Sequence, residues 1–189
     1  MRSDMTAQMT PSTSNPAGTR TWYGKYRGTV VNNIDPKGLG RLLVAVPDVL
    51  GLVPSSWAEA CVPLAGPTGT PMGAWFVPPT GAGVWVEFEA GDPSRPIWTG
   101  CRWGTPADPP TLAKAGLPVS PSIVLQTAGQ QTLAISDLPG PTGGIMLKSA
   151  TGATLIVNDT GIYIQNGKGA SIVMTGPTVT VNNGALTVV

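Results

Sequence analysis

From Gly144 to Val189 the chain alternates apolar and polar residues in short runs: GIMLKSA, TGATLIVND, TGIYIQN, GKGASIVM, TGPTVTV and NNGALTVV. Four or five alternating residues followed by Gly, Asn, Asp, Thr or Pro predict a strand and a corner each time. Residues two apart on a strand share a face. This groups Ile145 with Leu147, Leu155 with Val157, Ile162 with Ile164, Ile172 with Met174, Val179 with Val181, and Leu186 with Val188. The opposite parity carries Met146, Lys148, Thr154, Tyr163, Gln165, Thr178, Thr180 and Thr187, mostly groups that tolerate water. Ile123 and Leu125, then Leu133 and Ile135, extend the series upstream in the same parity. Eight short strands are predicted in all.

Strands this short leave one narrow apolar face and two unpaired edges per unit, and both must be satisfied somewhere. The inward series is Ile, Leu and Val with a single Met, slender residues suited to a narrow axis. A β-prism or β-helix closed by several chains meets these needs, and a homotrimer fits three flat faces and cyclic symmetry. Half of an ordinary β-sandwich is the competing arrangement. At roughly 4.8 Å per strand, eight strands would stack to about 40 Å.

Upstream the pattern changes. Every aromatic residue except Tyr163 lies between Trp22 and Trp103, which marks a separate core expected to be aromatic. WYGKYRGTVVNNID predicts a first strand over Lys25 to Val31 and a turn at Asn32 to Gly38; RLLVAVP predicts a second, from Arg41 to Val46. A loop from Asp48 to Ser56 leads to WAEACVPLA, a third strand. In GAGVWVEFEAGD, Val84, Val86 and Phe88 alternate with Trp85, Glu87 and Glu89, the clearest amphipathic strand in the chain, and RPIWTGCRWG returns beside it. Five or six short strands closed on themselves predict a small barrel of the OB type. The expected organisation is all-β: a flexible arm over 1–20, an OB barrel over 21–105, a Pro-rich linker over 106–121 and an intertwined trimeric β-helix, a triangular β-prism needle, over 122–189.

Composition narrows the chemistry. Charged residues make up only 11% of the chain, below the globular norm of about 25%, so much of the surface must be uncharged or covered by partners. The 25 glycines and 20 prolines without a collagen period imply turns rather than helices. A net charge of +1 gives no general attraction for nucleic acid or an anionic membrane. The first residues have no apolar run, so no signal peptide is expected and synthesis in the cytoplasm is the default. With no histidine, Ser-His-Asp and Cys-His pairs and His-ligated zinc are excluded. Cys61 and Cys101 are expected to be small buried hydrophobes. The chain is read as having no catalytic residues, no metal site and no cofactor.

The succession GKYRGTVVNNIDPKGLGRLLVAVPDVLG, WAEACVPLAGP and FVPPTGAGVWVEFEAGDPSRPIWTGCRWG resembles the OB domain of spike proteins from contractile injection machines, most densely at FEAGDPSRPIWTG. That family includes the phage baseplate assembly protein V type, the T-even tail spike, the VgrG proteins of type VI secretion and the spikes of extracellular injection systems. The resemblance covers about Gly24 to Gly104, and an OB domain followed by a repetitive β needle agrees with it. It implies a structural homotrimer at the distal end of the tail tube, part of an assembled particle, that pierces the target membrane in passing. A baseplate hub protein would sit at the OB end and a PAAR-type tip protein at the other. No hub domain precedes Trp22 and no lysozyme-like insert follows the OB region, so the pattern is closest to the short spikes of simple phages and extracellular systems.

On this reading the needle axis is lined by Ile145, Leu147, Leu155, Val157, Ile162, Ile164, Ile172, Met174, Val179 and Val181, and the tip protein contacts Leu186, Val188 and Val189. Two other classes compete. An OB nucleic-acid binder would use Lys25, Arg27, Lys37 and Arg41 with Trp22, Tyr23 and Tyr26 as stacking platforms, although Glu87, Glu89 and Asp92 offset the charge. A glycan-cleaving tailspike would need paired carboxylates, and the needle offers only Asp137 and Asp159.

Overall fold

The computed structural model describes residues 20–115 and 122–188. The expected arm over 1–20, apart from Arg20, the linker's second half over 116–121, and Val189 lie outside the described residues. The chain divides into two compact units, one ending at Gly104 and the other starting at Thr105.

The first unit holds five strands: β1 (Tyr26–Asn32), β2 (Leu43–Ala45), β3 (Glu59–Ala60), β4 (Gly83–Phe88) and β5 (Pro96–Arg102), in the order β2-β1-β4-β5-β3. All pairs are antiparallel except β3 with β5. Leu42 and Ala58, the residues leading into β2 and β3, exchange backbone hydrogen bonds of 3.0 and 2.7 Å. This bridge joins the two outer strands, so the sheet curls back on itself as an OB barrel requires. The alternation of β4 sets the core: Val84 and Val86 are fully buried and Phe88 nearly so. Val30, Leu42, Val44, Val46, Ala58 and Trp98 complete it. Gly28 is needed because a Cβ there would lie 2.8 Å from Val86 Cγ2, in the middle of that packing.

Three expectations fail in this unit. The core is aliphatic rather than aromatic: of ten aromatic residues only Phe88 and Trp98 are buried, while Tyr23, Trp75, Phe76 and Trp103 are exposed. A barrel this small has room at its centre for Val and Leu but few rings. Cys61 and Cys101 are both exposed and unbridged rather than buried. The segment read as a loop from Asp48 begins as a helical turn, α1 (Pro47–Leu50), started by a proline in its first turn, where the missing N–H costs nothing.

The second unit is one antiparallel sheet of eight strands: β6 (Ile123–Gln126), β7 (Thr132–Ser136), β8 (Gly144–Lys148), β9 (Thr154–Asn158), β10 (Gly161–Gln165), β11 (Ser171–Thr175), β12 (Thr178–Val181) and β13 (Leu186–Val188). Each pairs with its neighbours in sequence, and every strand from β7 to β12 has both edges satisfied within one chain. The backbone ladder therefore does not depend on a second copy. What a single chain leaves open is the outer edges of β6 and β13 and the apolar face described below.

The Pro-rich segment is not a plain spacer over its described part. Residues from Thr105 belong to the second unit, and Thr111–Lys114 forms a single 3-10 turn, with Lys114 Nζ donating to the carbonyl of Pro106. Leu112 and Ala115 lie over one face of the sheet beside Val124, Ala134, Met146 and Ile156, together with Leu138 and Pro141 from the β7–β8 connection. That face is apolar near β6 to β9, more so than its sequence suggests, and these two segments cover it.

Candidate functional site

The register of the eight strands turns the alternation into two continuous columns. Directly opposed residues run Ile123, Ile135, Ile145, Val157, Ile162, Met174, Val179, Val188 in one, and Leu125, Leu133, Leu147, Leu155, Ile164, Ile172, Val181, Leu186 in the other. Opposed residues in a ladder share a face, so sixteen aliphatic side chains form one stripe two residues wide and eight strands long. The ten residues assigned to the needle axis all lie on it. Leu186 and Val188, assigned to tip contact, are its last layer, on the edge strand β13; Val189 lies outside the described residues.

Twelve of the sixteen are solvent-exposed, from Met174 at 36% to Ile123 at 61%. A soluble monomer rarely leaves a contiguous apolar stripe of this size uncovered. No charged side chain interrupts it, because the columns contain only Ile, Leu, Val and Met. Covering the twelve would contribute roughly 1 kcal/mol per half-exposed side chain, on the order of 10 kcal/mol per chain.

Short polar turns hold the register. Asn158 Oδ1 accepts from the Thr160 N–H at 3.0 Å, the Gly161 N–H at 3.1 Å and the Thr160 hydroxyl at 2.7 Å, closing the β9–β10 corner. Asn166 does the same at β10–β11, accepting from the N–H groups of Lys168 and Ala170. The Asp159 carboxylate accepts from the Gly140 N–H at 3.0 and 3.1 Å, tying the β7–β8 excursion to the β9–β10 corner. At Gly144, φ is +87° and a Cβ would stand 2.1 Å from Val157 O, so only glycine fits between β8 and β9.

Residues 122–187 match the family model of the phage baseplate V C-terminal trimerisation domain. Residues 26–103 match that of the type VI secretion system and phage-baseplate injector OB domain. Together the two matches take in well over half of the chain, in the order that the two units occupy. The chain belongs to the phage baseplate V family. It is a structural baseplate spike protein, and its second unit is a trimerisation domain that carries the exposed aliphatic stripe. No curated protein matches the chain.

In the spike's first unit, two of the four cations that a nucleic-acid binder would use are already paired. Lys25 Nζ is 2.7 Å from Glu87 Oε1 and donates to the Thr99 hydroxyl at 3.2 Å. Arg41 is paired with Asp35 at 2.5 Å and sits 5.5 Å from the Trp57 ring. Asp35 is nearly buried and also accepts from the N–H groups of Lys37, Leu39 and Arg41. The Arg41 guanidinium, followed by these N–H donors, holds the Asp35 carboxyl well below the usual carboxylate range. It therefore acts as the hub of the β1–β2 turn. Tyr26 packs edge-on to Trp22 at 6.0 Å and against Phe88 at 5.7 Å, as part of the core's margin rather than a stacking platform.

Two of the spike's carboxylates are likewise engaged. Asp159 is a turn staple, and Glu89, on the barrel, pairs with Arg95 at 2.5 Å. Among the described residues no group of His, Cys, Asp or Glu has the spacing to hold a metal ion, and no helix is long and apolar enough to cross a membrane.

Proposed function

We propose that three copies bring their two-column stripes to a common axis and close them into a triangular β-prism, the needle of the spike. The observation that carries this is the unbroken stripe of sixteen aliphatic residues in a domain whose family is defined by trimerisation. Two positions on one face span about 7 Å along a strand. Three such stripes suit a dry, narrow interior, and Ile, Leu and Val are slim enough to fill it without rings. Closure would make the rod stiff and slow to open, so its persistence is kinetic as well as thermodynamic.

In the assembled particle this rod faces the target envelope and concentrates the thrust of the contracting sheath on a small area, piercing the membrane in passing. The OB unit faces a hub protein of the baseplate. The last layer, Leu186 and Val188 with Val189 following, is capped by a tip protein of the PAAR type, since an open apolar end with a free strand edge invites aggregation. The work is mechanical, and no catalytic step is assigned to any residue.

The test compares the full chain with a version stopped at Pro121, each run in SDS without boiling. The full chain should migrate as a trimer and the shortened one as a monomer. A full chain that is monomeric at all concentrations would overturn the needle. For the cap, a charged extension after Val189 should abolish tip attachment and leave trimerisation intact.

A further inference from the structure

A second uncovered apolar surface lies on the OB unit. Between β3 and β4 the chain makes a projecting hairpin: Gly66 N–H donates to Met72 O at 2.8 Å, Ala74 N–H to Leu64 O at 3.0 Å, and Ala65 bridges Gly73. With the β1–β2 turn it encloses a groove of about 630 Å³ whose lining includes Leu39, Leu64, Met72, Trp75, Phe76 and Trp98. The first five of these are between 49% and 66% exposed. No lining residue is charged, and Thr70 is the only hydroxyl-bearing side chain. The Trp98 indole N–H is already used on Gly40 O at 3.0 Å. A polar small molecule would find almost nothing to orient it, so the groove suits aliphatic side chains.

The same unit carries such side chains. After α1 the chain turns at Gly51 and presents Leu52, fully exposed, and Val53, 68% exposed. This knob is held at both ends. Gly51 N–H donates to Pro47 O at 3.1 Å. On the far side, Ser55 N–H donates to Val44 O at 2.8 Å, and the buried Ser55 hydroxyl accepts from Val44 N–H at 3.1 Å. Gly40, on the groove, precedes β2, and the knob follows it, so the two lie at opposite ends of one strand. Within one chain the knob is not seated in the groove: Leu52 and Val53 are exposed and neither lines it.

We infer that in the trimer the Leu52–Val53 knob of each OB unit seats in the Trp75–Phe76 groove of the next copy. This rests on the trimeric reading above. Two unlike, complementary patches on one surface define a heterologous contact, which closes into a ring when copies are related by rotation. The trimerisation domain holds three OB units at high effective concentration, so even a small contact of this kind would be occupied. The groove's lack of charge is met by a knob that has none.

The test uses the full chain with Cys61 and Cys101, both exposed, changed to Ser. Leu52→Cys and Met72→Cys are introduced singly and together, and each protein is treated with a short bismaleimide. The double variant should give covalent trimers on a denaturing gel while each single variant gives only monomers. A noncovalent trimer in which the double variant does not cross-link, or in which a single variant does, would overturn the ring contact and leave the needle standing. Absence of any trimer would overturn both. A second measurement needs no cysteine: backbone amides of Gly51–Val53 and Met72–Phe76 should exchange slowly in the unaltered trimer. They should exchange quickly in full-chain Ile164→Asp held monomeric, and equal exchange in the two states would again sink the ring contact.

Discussion

At Gly144 a single hydrogen in place of a methyl group decides whether two strands can meet. The positive φ and the 2.1 Å approach of a notional Cβ to Val157 O mean that Gly144→Ala must push β8 away from β9 or twist its own backbone. The expected cost is on the order of 2–3 kcal/mol, read as a lower midpoint in denaturant unfolding of the trimer. Asp35 is the corresponding residue in the barrel. Its carboxyl is depressed in the folded chain, so the stability it contributes is complete above the ordinary carboxylate pKa of about 3.9 and is lost as pH falls through the folded value below it. Asp35→Asn should therefore unfold at a lower temperature than the parent at pH 7, and the gap between them should narrow as pH approaches 2. A constant gap across that range would refute the linkage. Neither role was visible in the sequence, where Asp35 counted as one turn residue among several and Gly144 as a corner.

At the scale of strands, the same sheet offers two faces with opposite tolerance. Ile164→Asp places a charge in the middle of the stripe, where no polar partner exists among the described residues, and should convert the trimer to monomer in analytical ultracentrifugation. Gln165→Asp, one residue along and on the other face, should leave assembly unchanged and shift stability by no more than about 0.5 kcal/mol. The alternation made this distinction legible beforehand, because period two fixes which residues share a face. The outer face was less legible. Leu112 and Ala115 come from a Pro-rich segment that reads as a spacer, yet they cover Ala134, Met146 and Ile156. A covering contact made by residues without periodicity leaves no pattern to find, so it emerges only once the chain is folded.

For the whole molecule, the low charged fraction implies that assembly rests on apolar closure rather than ion pairs. The thermal midpoint of the trimer should then be unchanged or higher in 1 M NaCl than in 0.05 M, since screening removes little and apolar burial is not weakened by salt. A marked fall would indicate that charge pairs between copies hold it together. The misplaced aromatic core belongs to this scale as well. Clustering of aromatic residues between Trp22 and Trp103 pointed to a separate core, but not to the side on which they stand. Four of the ten rings are exposed, and two of these, Trp75 and Phe76, line the groove assigned to a neighbouring copy.

The sequence alone determined that the chain is all-β, where the amphipathic strands run, which residues make up the apolar stripe, and that no histidine chemistry is available. Periodicity and composition are local properties, and a strand's faces follow from them directly. Only the tertiary structure decided the pairing of each strand with its sequence neighbours, which aligns the stripe into two columns, and the closure of the barrel through Leu42 and Ala58. It also decided which aromatics are buried. Register and burial depend on residues far apart in the chain meeting at distances that no short window of sequence records.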